Sequence, residues 1–416
     1  MANFVNDPAH GMEIRVGPPL PPISPASQEV TRAVLACLED GSWARYDPAR
    51  LERMEIQLAE WLGVGHALLV GSGTLALEVA LHAVGVKAGG LVAIPAYDYP
   101  GNFHTVHALG AIPLLVDVQA DSPQLCPASL EIALEKARKG LGQVQAVVVS
   151  HLYGGLANLE AIERICERNN VPWVEDACQC FGATDAQGKR IGTKGMAGIF
   201  SFGGGKPVSV GRGGLLVTNQ AILRQRAWLR VSRGSALATP STLQLAALEA
   251  QLPSHDRKIK ETQQWLEKIV KGSTHAEKGQ FSMEISTDRT RQKIMQTAKN
   301  PFHFLQNTGP GNPVYYRIAM KIPSGQPSRP VLERSWALGL PMGEGFRAIH
   351  VGRAASRFHA GGLLTCAEAA AKELLVLDTT AAQSQPLAII LEGLNTLGRQ
   401  ITPENDPISS DGALTG

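Results

Sequence analysis

The segment Gly198-Ile-Phe-Ser-Phe-Gly-Gly-Gly-Lys206 reads as a short apolar strand that runs into three glycines and presents one lysine. Upstream, Val174-Glu175-Asp176-Ala177 reads as a second buried strand, ending in a carboxylate. An amine and an acid, each at the mouth of a parallel strand, are the two groups that pyridoxal phosphate requires. The amine forms a Schiff base with the cofactor's aldehyde, and the acid faces its ring nitrogen. With Asp176 keeping that nitrogen protonated, the ring becomes an electron sink for a carbanion at the substrate's Cα. Lys206, freed by an incoming amine, then carries the proton to and from Cα, provided that partial burial and the cofactor lower its pKa. Read singly, a lysine in a glycine loop is a solvated charge and a strand-end acid is a helix cap. The pair changes both readings.

Gly71-Ser72-Gly73-Thr74 lies between a strand and a helix. Small residues let the backbone approach a ligand, and a helix N-terminus offers N–H groups and the positive end of its dipole. With the hydroxyls of Ser72 and Thr74 this suits a phosphate; the plain alternative is a capped turn. Neither glycine run is a Walker loop. No lysine follows the second glycine of the first run, and Phe200 stands where the second would need a glycine. Gln179, one helical turn beyond Asp176, could reach the cofactor's ring oxygen. Tyr99, in Pro95-Ala96-Tyr97-Asp98-Tyr99, is the candidate to stack on the ring. His151, in Ser150-His-Leu-Tyr-Gly154, ends another strand, either beside the site or packed as a hydrogen-bonded core histidine.

These residues need a scaffold that gathers strand ends. Apolar runs at 67–70, 91–95, 112–116, 146–150, 171–175, 199–202 and 215–218 alternate with helical spacing at 75–84, 127–139 and 159–169. That alternation predicts an α/β fold, a mostly parallel seven-stranded sheet flanked by helices, with ligands bound beyond the carboxyl ends of the strands. Helical spacing also occupies 28–39, 51–62 and 243–269. The expected organisation is an extended arm over 1–25, a large cofactor-binding domain over 26–250, and a long helix with a small α+β domain over 251–401. A polar insertion at 271–300 and a disordered tail at 402–416 complete it.

A chain of 416 residues accommodates such a pair of domains. Its formal net charge of +2 gives no case for nucleic acid or an anionic membrane surface. No apolar run approaches the roughly 20 residues of a membrane span, and the N-terminus lacks the pattern of a secretory signal. Six cysteines in this length do not make a disulfide framework, and Cys178 and Cys180 have no second pair at zinc spacing. No metal and a cytoplasmic location are expected.

At these motifs the sequence resembles the DegT/StrS group of PLP-dependent aminotransferases, which act on keto-sugars and keto-cyclitols. The resemblance runs from about Gly17 to Ile401 and keeps the family's order of motifs. Ser42-Trp43-Ala44-Arg45-Tyr46 resembles the substrate-side segment, Ser72-Gly73-Thr74 the phosphate turn, and Tyr97-Asp98-Tyr99 the stacking segment. His151-Leu-Tyr-Gly154 is similar to the central strand end, Glu175–Gln179 to the acid strand, and Phe200-Ser201-Phe202 with Lys206 to the lysine loop. The resemblance implies a fold type I homodimer with active sites at the subunit interface. It makes Ser201 a phosphate ligand and puts Trp43, Tyr46 and His350 near substrate. The chain also departs from the pattern. Gly203-Gly204-Gly205 replaces side chains that the family carries there, Arg212 replaces a common acid, and Leu237 and Thr239 fall where a partner asparagine and arginine are usual.

The expected activity is transfer of an amino group, from glutamate or glutamine, to a ketone of a sugar, cyclitol or similar polar molecule in secondary metabolism. The alternatives are another PLP reaction on the same fold (elimination, cyclisation or carbon–carbon bond formation), or a non-catalytic sensor.

Overall fold

The protein is described by a computed structural model over residues 4–7, 12–15, 26–232, 238–273, 303–305, 307–323 and 325–401. Phe4–Asp7 pairs antiparallel with Met12–Arg15. The rest of the expected arm, the 271–300 segment beyond Ser273, the tail from Thr402, and Leu237 lie outside the described residues.

The main sheet comprises β1 (His66–Val70), β2 (Leu91–Pro95), β3 (Ile112–Val116), β4 (Val144–Ser150), β5 (Trp173–Asp176), β6 (Ala197–Ser201), β7 (Gly214–Thr218) and β8 (His359–Ala360). Their spatial order is β8-β3-β2-β4-β5-β6-β7-β1. The sheet is thus eight-stranded, one more than the sequence predicts. The added strand is two residues long, below any periodicity signal, and comes from the C-terminal part of the chain. Pairing is parallel from β8 through β6, while β7 runs antiparallel to both β6 and β1. Every residue of β2 and of β7 is buried, as expected of strands covered on both faces.

The covering helices begin and end where the local chemistry dictates. In α1 (Gln28–Glu39) Ser27 is the N-cap, and in α2 (Pro48–Leu62) Asp47 accepts from Arg50 N ahead of Pro48 at the first position. Ser72 caps α3 (Gly73–Val84) by accepting from Leu75 N at 3.1 Å. Next come α4 (Pro100–Ala108), which the sequence reading missed, α5 (Pro127–Lys136), α6 (Leu159–Arg168) and α7 (Ala221–Val231). Apolar clusters fill both faces of the sheet. Leu58, Leu69 and Phe200 lie in one and Leu77, Ile94 and Val148 in the other, all fully buried. Each such side chain contributes about 1.5–3 kcal/mol of transfer free energy, which is what fixes the strand ends in place.

Helix α8 (Thr242–Ser273) continues through Pro253 and past residue 250, so the expected domain boundary falls inside one helix. Beyond it, His303–Phe304, Arg317–Lys321, Leu374–Asp378 and Met342–Glu344 form a four-stranded antiparallel sheet with its own core around Met320, Leu375 and Leu377. Among the described residues no helix is long and apolar enough to cross a membrane.

Candidate active site

Lys206 is carried by the connection between the antiparallel strands β6 and β7. Phe202 N donates to Gly213 O at 2.9 Å and Val210 N to Phe202 O at 2.8 Å, which ties the two ends of the loop together. Gly204 and Gly205 both have positive φ, +32° and +42°, with no atom near the position of an added Cβ. Here the glycines serve backbone conformation, not clearance. The turn sets the Lys206 Nζ 4.9 Å from the ring centroid of Tyr316, a residue of the smaller sheet's domain. Burial holds the lysine below its ordinary pKa, and Arg317 adds to the effect, while Cys178, Asp176 and Tyr99 oppose it.

Asp176, at the carboxyl end of β5, is 6% exposed. Its Oδ1 accepts from Cys178 N at 3.0 Å and its Oδ2 from Asn102 Nδ2 at 2.8 Å. The same Asn102 nitrogen donates to Asp98 Oδ2 at 2.9 Å and lies 3.3 Å from Ser150 Oγ. Ser150 Oγ stands 2.9 Å from Asp98 Oδ2, and Tyr99 N donates to Asp98 Oδ1 at 2.8 Å. Asp98 is fully buried. Burial and the neighbouring Asp176 push its carboxyl up to about 8, against the three hydrogen bonds that favour the ionised form. Among the described residues no cation is within ion-pair distance of either acid.

The turn before α3 packs directly on this centre. A Cβ on Gly73 would meet Cys178 Sγ and Ser201 Cβ at 2.9 Å, so the turn and the end of β6 are in contact. A Cβ on Gly214 would fall 2.2 Å from the Ser72 carbonyl oxygen, locking the return strand of the lysine loop to the same turn. The Ser72 hydroxyl caps Leu75, which leaves the N–H groups of Gly73 and Thr74 without an intrahelical partner. The structure therefore brings together Gly71, Ser72, Gly73, Thr74, Asp176, Ser201 and Lys206. Gln179 is buried beside them, its carboxamide oxygen accepting from Tyr153 N at 2.7 Å, which leaves the amide NH2 as donor. Tyr99 is 45% exposed, its ring packed over Gly101 and in a T-shaped contact with Phe346. This set fits pyridoxal phosphate: a depressed lysine, a buried acid, and a small-residue helix N-terminus whose Gly73 packs without a side chain against Cys178 and Ser201.

His151 takes the packed, hydrogen-bonded alternative. His151 is 1% exposed; its Nδ1 accepts from Ala157 N, and its Nε2 lies 3.6 Å from Glu175. Residues alternate across a strand, so Glu175 points to the opposite face from Asp176, and His151 joins it there as part of the packing instead of contacting substrate. His350 is engaged by Glu368 at 3.0 Å. Trp43 and Tyr46 stand on the chain's surface, and Arg212 is exposed, its carbonyl accepting from Gln244. Among the described residues, no hydrogen bond, ion pair or ring contact links His350, Trp43, Tyr46 or Arg212 to Lys206, although Arg212 shares its loop.

Sequence reasoning missed Asp98, Asn102, Ser150, Tyr316 and Arg317. Asp98 and Asn102 stand four apart beside Tyr99, a spacing that puts both on one side of a helix start, but α4 has too little apolar periodicity for that spacing to carry a signal. Tyr316 and Arg317 come from a different sheet, and no local pattern links them to Lys206.

The profile of the DegT/DnrJ/EryC1/StrS aminotransferase family matches residues 25–278. The GDP-perosamine synthase of Vibrio cholerae is 30% identical over 45% of this chain and 49% of its own. The L-glutamine:2-deoxy-scyllo-inosose aminotransferase of Micromonospora echinospora is 37% identical over 46% and 45%. The chain thus spans about half the length of the curated relatives it matches. The structure of 3-amino-5-hydroxybenzoic acid synthase superposes with a TM-score of 0.73 at 21% identity, over 92% of this chain and 99% of that one. A DegT/DnrJ/EryC1/StrS aminotransferase from Brucella abortus gives 0.74 at 21%, over 89% and 95%. These two likenesses establish the fold, fold class α/β with a mostly parallel main sheet, and the profile match establishes the lineage. The chain belongs to the DegT/DnrJ/EryC1/StrS aminotransferase family.

Proposed function

We propose that the protein is a PLP-dependent aminotransferase of secondary metabolism that moves an amino group from glutamate or glutamine to a keto-sugar, keto-cyclitol or related polar ketone. The observation that carries the reading is the partly buried Lys206, depressed by burial, within electrostatic reach of the sealed Asp176 and on a loop locked to the turn before α3. Pyridoxal phosphate, when bound, supplies the electron sink that makes a Cα proton removable. The chain's own residues do the rest. Asp176 holds the ring nitrogen protonated, and Gln179 donates to the ring oxygen. Ser72, Thr74, Ser201 and the free N–H groups of α3 hold the phosphate, and Tyr99 covers the ring face. Lys206 holds the cofactor covalently and moves the Cα proton, a task that its lowered pKa suits.

The names of the relatives support the substrate class: one acts with L-glutamine on a scyllo-inosose, and another makes GDP-perosamine. Trp43 and Tyr46 are 53% and 84% exposed, and Leu35 and Leu38 of the preceding α1 are exposed as well. Exposed apolar surface of this kind suits a symmetric interface. We read the protein as a cytoplasmic homodimer in which Trp43, Tyr46, Arg212 and His350 serve the substrate side.

The test is the absorption spectrum of protein with PLP, before and after glutamate or glutamine, with Lys206→Ala as control. A visible band that forms only with Lys206 present and converts to the pyridoxamine spectrum on adding a donor is expected. A band that no donor moves would assign a different PLP reaction. No band at all would remove the cofactor from the account.

A further inference from the structure

Two acids that touch the same donor cannot be treated separately. Asp98 and Asp176 both accept from Asn102 Nδ2, at 2.9 and 2.8 Å. That nitrogen has two hydrogens and three oxygens around it, the third being Ser150 Oγ at 3.3 Å. Asp98 is fully buried and Asp176 is 6% exposed. Like charges this close, out of water, do not both persist. The network also has room for one proton. Ser150 Oγ donates to Asp98 when Asp98 is ionised and, at the same 2.9 Å, accepts from it when Asp98 is protonated, so neither state loses a partner. From β5 and the turn after it, the groups facing the pair are Asp176 itself and Cys178, whose thiol burial keeps neutral. From the lysine loop there is Lys206, on the Asp176 side. From β4 there is Ser150, and from the start of α4 Tyr99 and Asn102. His151 and Glu175 face the other side of the sheet.

We propose that Asp98, Asn102 and Asp176 act as one unit, in which Asn102 clamps two carboxyl groups that share a single proton until a cationic ring nitrogen docks on Asp176 and drives that proton out. Asp98 and Asn102 are positioning residues: they act through Asp176, and the departing proton passes from Asp98 to the buffer. The direction of the Asp98 shift before docking, up to about 8 by burial and Asp176, agrees with this. A positive charge at Asp176 cancels the second of those causes. Cofactor affinity therefore rises with pH, by up to about tenfold per unit, until Asp98 is ionised without help.

The inference rests on the pyridoxal phosphate reading, and the experiment separates the two. Lys206→Ala removes the covalent bond and the lysine's own titration. PLP binding to Lys206→Ala and to Lys206→Ala/Asp98→Asn is measured by calorimetry at pH 7 in two buffers of different ionisation enthalpy. The first protein is expected to release about one proton more than the second, and only the first to bind more tightly as pH rises. Equal proton release, with both proteins binding, would overturn the proposal and leave the cofactor reading intact. Failure of wild type and both variants to bind PLP would overturn the reading and the proposal together. If Asp98→Asn does not fold, an infrared difference spectrum of wild type decides. A protonated-carboxyl band that disappears when PLP is added is expected, and its absence before addition would refute the shared proton.

Discussion

Asn102 Nδ2 is hydrogen-bonded at once to Asp98 and to Asp176, and this single amide is what keeps the two buried acids at a fixed separation. Asp176 is therefore not free to adjust, and its properties belong to a group of residues drawn from the turn before α4, α4 itself, β4 and β5.

Asn102→Ala removes the shared donor and leaves both acids without it. Loss of one buried hydrogen bond to a charged group is worth on the order of 1.5 kcal/mol, so PLP affinity of the cofactor-free protein is expected to fall about tenfold. Titration of the cofactor's absorption measures it. An unchanged dissociation constant would show that Asp176 is held adequately by Cys178 N alone.

The same acids set a pH dependence of folding. Asp98 has a folded-state pKa raised from 3.8 to about 8. Its neutral form is the one the fold favours, so that contribution is complete below the ordinary carboxylate range and is lost as pH rises towards about 8. The slope is at most about 1.4 kcal/mol per pH unit. Urea midpoints of cofactor-free wild type are expected to decline across that window, and those of Asp98→Asn to stay flat. Parallel curves would count against a proton on Asp98.

On the opposite face of β5, Glu175 accepts from the backbone N–H groups of Gly192, Lys194 and Gly195 and faces His151. Glu175→Ala orphans these donors in a buried setting, at a cost of on the order of 3 kcal/mol. Glu175→Gln retains one acceptor and is expected to cost less. Chemical denaturation of the two variants distinguishes this buttress from a catalytic part, because only stability should change in proportion.

What the sequence reveals follows from how each feature is encoded. The β2, β3, β6 and β7 runs are continuous and apolar because both faces are covered, and they were placed to within a residue or two. Lys206, Asp176 and the Ser72 turn were legible because each sits where a strand ends. His151 also ends a strand, but the side to which its ring turns depends on packing against Glu175, which no local pattern carries. Asp98 was visible as a letter beside Tyr99, yet its burial depends on α4, whose start at Pro100 has little apolar periodicity. Tyr316 reaches Lys206 only through the association of two sheets.

The contact between Gly214 and the Ser72 carbonyl has a metrical consequence. It joins the lysine loop to the mouth of α3 through main-chain atoms, with no side chain between them that could yield. On the proposed reading, this contact helps to set the span from the amine to the phosphate. A vitamer whose phosphate arm is one methylene longer or shorter would then meet that span at one end only.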